Sequence, residues 1–221
     1  MILIDSVKVD GLGMIDSFGT MKGKVYVASM NLRGEWAPRP EGALLLNATS
    51  AQGKTKQERL DLSPMTPIPG GYKGFWNFEH YWQAGKVFEG LADNDAKIDW
   101  WKKQEAPKKK YPKSKGLRVL HGVYSDGIPR GYVDARRTIF VPEYYELVKE
   151  RPSIEKWKKI VDSGKDVVVY DFDGPRDSEG RPVCVEISSE LFEEKLNNVE
   201  SPFGHGYIVA AMLAGIDIMK K

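Results

Sequence analysis

The chain has 221 residues, 41% hydrophobic and 29% charged, so it can bury a sizeable core and is neither wholesale disordered nor a small disulfide scaffold. Thirty-three Lys and Arg against thirty-one Asp and Glu leave a formal +2, too small a bias to draw the chain onto nucleic acid or membrane by bulk charge. Cys184 is the only cysteine, which excludes an intrachain disulfide and a cysteine-based metal cluster; with no export-type apolar region after Met1, it points to a cytoplasmic protein.

In chain order, residues 1–75 read as β-rich, with branched runs at 2–9, 24–30 and 43–47 separated by Gly and Pro. Arg33 to Pro40, with Trp36 between arginines and two prolines, reads as a loop, and Pro64, Pro67 and Pro69 with Gly70 and Gly71 make another. A helix is predicted over 78–89, capped by Asn77 and closed by Gly90. Residues 99–118 form a basic loop broken by Pro107 and Pro112. A short helix follows from Pro142 to about 150, then an amphipathic one over 151–163 with Ile154, Trp157 and Val161 on its apolar face. Val167 to Tyr170 is the pattern of a strand buried on both faces, and it emits Asp171 and Asp173. Helices are expected over 188–197 and 201–216; the latter, the longest charge-free run, is short of the roughly 20 apolar residues that span a bilayer, so no membrane contact is expected. The expectation is one compact α+β domain, with a β-rich part over 1–75 and a mostly helical part over 76–221.

The densest chemistry lies in the 78–89 segment. On a helix, Glu79, Trp82, Gln83 and Lys86 fall at i, i+3, i+4 and i+7 on one face, while Phe78, Tyr81, Gly85 and Phe88 line another. A polar stripe beside aromatics suits a ligand pocket, and its plainer alternative is an exposed stripe with a Glu79–Gln83 hydrogen bond.

The string Glu79-His80-Tyr81-Trp82-Gln83-Ala84-Gly85-Lys86 resembles the Glu-His-Tyr-x-Gln-Ala-x-Lys signature of the NADAR family of N-glycosidases, over about a dozen residues. Asn77 and the downstream Trp100, Trp101 and Lys102 also resemble family segments. The chain departs from the family's Asp-x-x-Trp-Gly and Gly-x-Gly-x-Asn-x-Leu-Gly stretches, offering only Ser201 to Tyr207 before Met212, which makes it similar to a divergent relative. The resemblance implies cleavage of a ribosyl N-glycosidic bond in an ADP-ribosylated or otherwise modified nucleobase or nucleotide, with no cofactor. It also implies substrate contacts at Asn77 and His80.

That chemistry needs a carboxylate against the ribose to oppose oxocarbenium charge and activate water, which assigns Glu79 the catalytic role. Lys86 with Arg136 or Arg137 would hold phosphate, Trp76 or Trp82 would stack on a base or sugar, and Gln83 would fix a ribose hydroxyl. Arg136 and Arg137 have a plainer alternative in a salt bridge to Asp134.

Asp171 and Asp173 share a face if the strand continues, where they would act on a hydroxyl or hold Mg²⁺ or, more plainly, sit solvated. His205 lies between Gly204 and Gly206 at a helix start, where backbone amides can approach an anion. The three histidines lack zinc-ligand spacing. Two rival functions remain. Ala48-Thr49-Ser50-Ala51-Gln52-Gly53-Lys54-Thr55 fits a relaxed P-loop pattern of a nucleotide triphosphatase, but only 56–62 remain for its helix before Pro64. The lysines of the basic loop, Lys102, Lys103, Lys108, Lys109 and Lys110 foremost, would make a nucleic-acid-binding module with Trp100, Trp101 and Tyr111 as stacking rings.

Overall fold

The computed structural model describes residues 21–219. The expected strand over 2–9 lies outside them. Helices and a mixed sheet form one body, and the sheet is not confined to the N-terminal third. Strand β1 (Val25–Ser29) and strand β2 (Leu44–Asn47) come from that third, and β5 (Val167–Asp171) and β6 (Cys184–Glu186) from the C-terminal one. The order is β2-β5-β1-β6, with β5 parallel to both its neighbours and β6 antiparallel to β1.

Strand β5 is buried throughout, as its unbroken apolar run requires. Its side chains alternate: Val167 and Val169 join Val25, Val27 and Leu46 in the main core, whereas Val168 and Tyr170 join Ala28 under a cover of Met30, Leu32 and Ala37. The main core is closed by helices α5 (Val141–Val148), α6 (Pro152–Asp162), α7 (Ser189–Asn197) and α8 (His205–Ala214). Every residue of α8 from His205 to Leu213 is buried, because the helix lies on β1 and β5 and is itself flanked by α5, α6 and α7. Its start is four residues later than the 201–216 pattern suggests, and Gly215, at φ 73°, ends it. Short helix α1 (Gln57–Leu62) caps α6: buried Asp61 accepts from Ser153 N at 3.0 Å and Ser153 Oγ at 2.7 Å.

Helix α2 (Phe78–Ala84) is shorter than the expected 78–89 span. A Cβ on Gly85 would stand 2.2 Å from the Tyr124 ring, so that ring crosses the helix end where only glycine fits. Val123 N donates to Gly85 O, and the chain leaves as β3 (Lys86–Phe88), paired antiparallel with β4 (Val119–Gly122). Lys86 is therefore not on the helical stripe of Glu79. The basic stretch also opens as helix, α3 (Asn94–Lys102), started by Asp93 accepting from Ala96 N. Its remainder is loop apart from a 3-10 turn, Pro112–Ser114.

Two buried cations tie these parts together. Short helix α4 (Tyr132–Ala135) runs through a π-helical turn, Arg136–Phe140, into α5. There Arg136, 1% exposed, stacks on Tyr132 and donates to Leu196 O, Asn198 O and Ser201 O. Its guanidinium is consumed in bridging the α7–α8 connection, so it is no free phosphate fork and does not pair with Asp134. Lys97 of α3 is fully buried, donates to Lys86 O and sits over the Phe88 ring.

Two outcomes are expected. Arg136→Met leaves one buried and two partly buried carbonyls without that donor and should cost about 3 kcal/mol in denaturant unfolding. Burial and the Lys86 charge push the Lys97 ammonium down to about 8 from 10.5, so the unfolded chain holds that proton more tightly. Wild type should accordingly gain stability relative to Lys97→Met as pH rises from about 8 towards 10.5. A pH-independent difference between the two in thermal unfolding would contradict that burial.

Candidate functional site

The C-terminal ends of β1, β2 and β5 open on the same side, the edge of a parallel sheet at which ligands characteristically bind. A cleft of about 340 Å³ lies there. Its floor is built from Asp171 at the end of β5, Thr49 and Ser50 beyond β2, and His205 at the start of α8. Its walls carry Glu79 from α2, Asp173, and the Ser63-Pro64-Met65 turn, and Lys109, Lys110 and Phe172 stand at its mouth.

Asp171 is 2% exposed and fully engaged: Oδ2 accepts from Gly206 N at 2.7 Å and Oδ1 from Phe172 N at 2.6 Å. A Cβ on Gly204 would stand 2.1 Å from Asp171 Oδ2, so glycine is what lets the helix start approach the strand end. The amides expected to meet a ligand anion are thus turned on the protein's own carboxylate. Among the described residues no group of three or more His, Cys, Asp and Glu is placed to hold a metal ion.

His205 Nε2 lies 2.8 Å from Ala48 O. A carbonyl only accepts, so Nε2 carries the hydrogen and Nδ1 faces Asp171 Oδ2 at 3.5 Å. Asp173 sits past the strand end in the turn, with its carboxyl pushed up to about 6, first by burial and then by the charge of Asp171, with Glu79 adding to it. His205 and Lys86 pull in the other direction.

Glu79 is half-buried in the first turn of α2, placed by Asn77, which accepts from His80 N and donates to Met65 O. Glu79 N donates to Pro64 O, and Gln83 Nε2 donates to Glu79 Oε1 at 2.7 Å, which holds the carboxylate in one orientation. The hydrogen bond expected of an idle surface stripe is therefore present, but inside a cleft.

The remaining sequence candidates divide. Lys109 and Lys110 reach the cleft, Lys109 with its Nζ 4.7 Å from the Phe172 ring centre. Lys108 contributes its backbone, donating to His80 Nε2. His80 is fully buried between Trp76 and Trp101, its pKa lowered to about 4 by burial and the Lys108 charge, so it is a neutral anchor for the basic strand of chain and not a substrate contact. Asn77 is likewise a buried cap. Trp76 packs on His80, and Trp82 is buried in a stack with Tyr124 and Tyr132, so neither indole lines the cleft. Lys86 Nζ lies over Trp82 and Tyr132, close enough to Asp173 to act on it through charge alone. Arg137 is paired with Glu193 and Arg136 is buried elsewhere, so no arginine reaches the site. Lys102 and Lys103 end α3, away from it.

Six lining residues escaped the sequence reading as site residues: Thr49, Ser50, Ser63, Pro64, Met65 and Phe172. Thr49 and Ser50 belong to the stretch that resembles a P-loop, yet the helix that follows, α1, has six residues and presents no phosphate cradle. Phe172, 46% exposed between two acids, gives no signal in the sequence beyond its position after a buried strand. The membrane-free expectation concerns helices only: none among the described residues is long and apolar enough to cross a bilayer. No family model matches the chain, and no curated protein or solved structure matches it significantly.

Proposed function

We propose that the protein is an N-glycosidase that hydrolyses the ribosyl N-glycosidic bond of an ADP-ribosylated or otherwise modified nucleobase or nucleotide. The observation that carries this reading is the meeting of Glu79 with a proton-holding Asp173 in one cleft whose mouth bears two lysines. Glu79, oriented by Gln83, opposes the positive charge that develops on the ribose as the C–N bond breaks. It then takes a proton from the water that attacks the anomeric carbon. The bonding pair leaves with the base nitrogen, and Asp173 supplies the proton that neutralises it, a task suited to an acid whose pKa is raised towards neutrality. Ser50 offers a hydroxyl to the sugar, and Lys109 and Lys110 offer charge to a phosphate. The similarity of residues 79–86 to the NADAR signature supports the same chemistry.

One observation favours a second reading, a nucleic-acid-binding module: among the described residues, Lys102, Lys103, Lys108, Lys109 and Lys110 are exposed and make no ion pair. Salt-dependent oligonucleotide binding with no base released would select it.

For the glycosidase, Glu79→Gln should lower turnover of a ribosyl substrate by about a hundredfold or more while leaving circular dichroism unchanged, and full activity would eliminate the assignment. Catalytic efficiency should fall as pH rises through about 6, where Asp173 loses its proton, and Asp173→Asn should remove that limb. Since a carboxyl with a raised folded-state pKa weakens the fold above its unfolded value, Asp173→Asn should be no less stable than wild type at pH 7.5.

A further inference from the structure

Helix α2 has a second cavity behind it. Around the helix, Tyr81, Ala84 and Gly85 lie roughly 140–240° from Glu79, and they line a space of about 240 Å³ that shares no residue with the cleft. Its walls are the rings of Phe75, Tyr81 and Tyr124, closed by Ile98 and Val123. The Tyr81 and Tyr124 ring centres are 5.5 Å apart and tilted, an open aromatic corner. Polar groups are few: the Tyr81 and Ser125 hydroxyls, 3.3 Å from each other, and the ammonium groups of Lys73 and Lys102.

Lys73 is held there at a cost. Its φ of 51° makes it the one non-glycine residue with positive φ among the described residues, in a turn between Tyr72 and Phe75 where glycine or asparagine fits better. The conformation carries its Nζ to 4.9 Å from the Tyr81 ring centre and 2.7 Å from Glu143 Oε1. Glu143 balances Lys73. Lys102 has no carboxylate within ion-pair distance among the described residues, and no acid lines the cavity, so its rim carries net positive charge.

An aromatic box with a cationic rim and the Ser125 hydroxyl, the Tyr81 hydroxyl being given to Glu143, fits a flat ring bearing an anionic substituent. We infer that this cavity is a second ligand site, for a one- or two-ring aromatic carboxylate, distinct from the cleft. The site does not depend on the glycosidase reading, because its occupant never meets Glu79.

The test is calorimetric titration of the full chain with 2-naphthoate. Saturable binding is expected, at least tenfold weaker for neutral 2-naphthamide, and at least tenfold weaker in Lys102→Glu and clearly weaker in Lys102→Gln. Ile98→Trp, which fills the space, should abolish it, whereas Glu79→Gln should bind as wild type does. Absence of saturable binding to the wild type at millimolar naphthoate would overturn the inference. So would affinity unchanged by Lys102 substitution, or binding lost in Glu79→Gln, which would place the ligand in the cleft.

Discussion

A buried carboxylate at the end of the central strand is the constraint on which the arrangement rests. Ionised Asp171 without partners would cost several kcal/mol, about the whole margin by which a small domain is stable. It is retained because two backbone amides, one from the first turn of α8, converge on it, and because the positive end of that helix faces it. The same contacts fix the position of α8, the most buried helix, against β1 and β5. Glycines at 204 and 206 are what the approach requires, since either Cβ would meet the Asp171 side chain.

That lock also sets the electrostatics of the cleft. Asp173, two residues on, is raised first by burial and then by the charge of Asp171, and it keeps its proton to higher pH. Glu79 enters from another element, so the two acids come from separate parts of the chain and are oriented separately. The basic segment over them is fixed at both ends of its approach, by His80 accepting from Lys108 N and by buried Tyr111 packing edge-on against Trp100. Groups of opposite sign therefore stand at the mouth and at the base of the cleft.

Much of this architecture is legible in the residues. The run at 167–170 reads as a doubly buried strand and is one; the apolar spacing of Ile154, Trp157 and Val161 reads as α6; and Ser188 caps α7 as its hydroxyl suggests. Misreadings arise where a distant residue decides. Nothing near Gly85 says that Tyr124 will cross the helix end, so α2 reads as longer than it is, and Lys86 is placed on a face it does not share. Arg136 looks like an anion fork because the carbonyls that occupy it lie in the α7–α8 connection. Glu79 and its Gln83 partner are legible because helical spacing alone brings them together. Asp173 and Phe172 acquire meaning only once β5 is seen to end at Asp171.

The pairing of β5 with both N-terminal strands has a kinetic side. Val25 aligns with Val167 and Leu44 with the same residue, so the sheet joins segments from the first and last thirds of the chain. Such long loops close slowly and reward nothing until both ends meet. During synthesis β1 and β2 emerge from the ribosome long before β5, with Leu44 and Leu45 still uncovered to a large degree even in the finished fold. The floor of the cleft is thus among the last features to exist, and a nascent chain interrupted before residue 171 holds Glu79 without the surface that faces it.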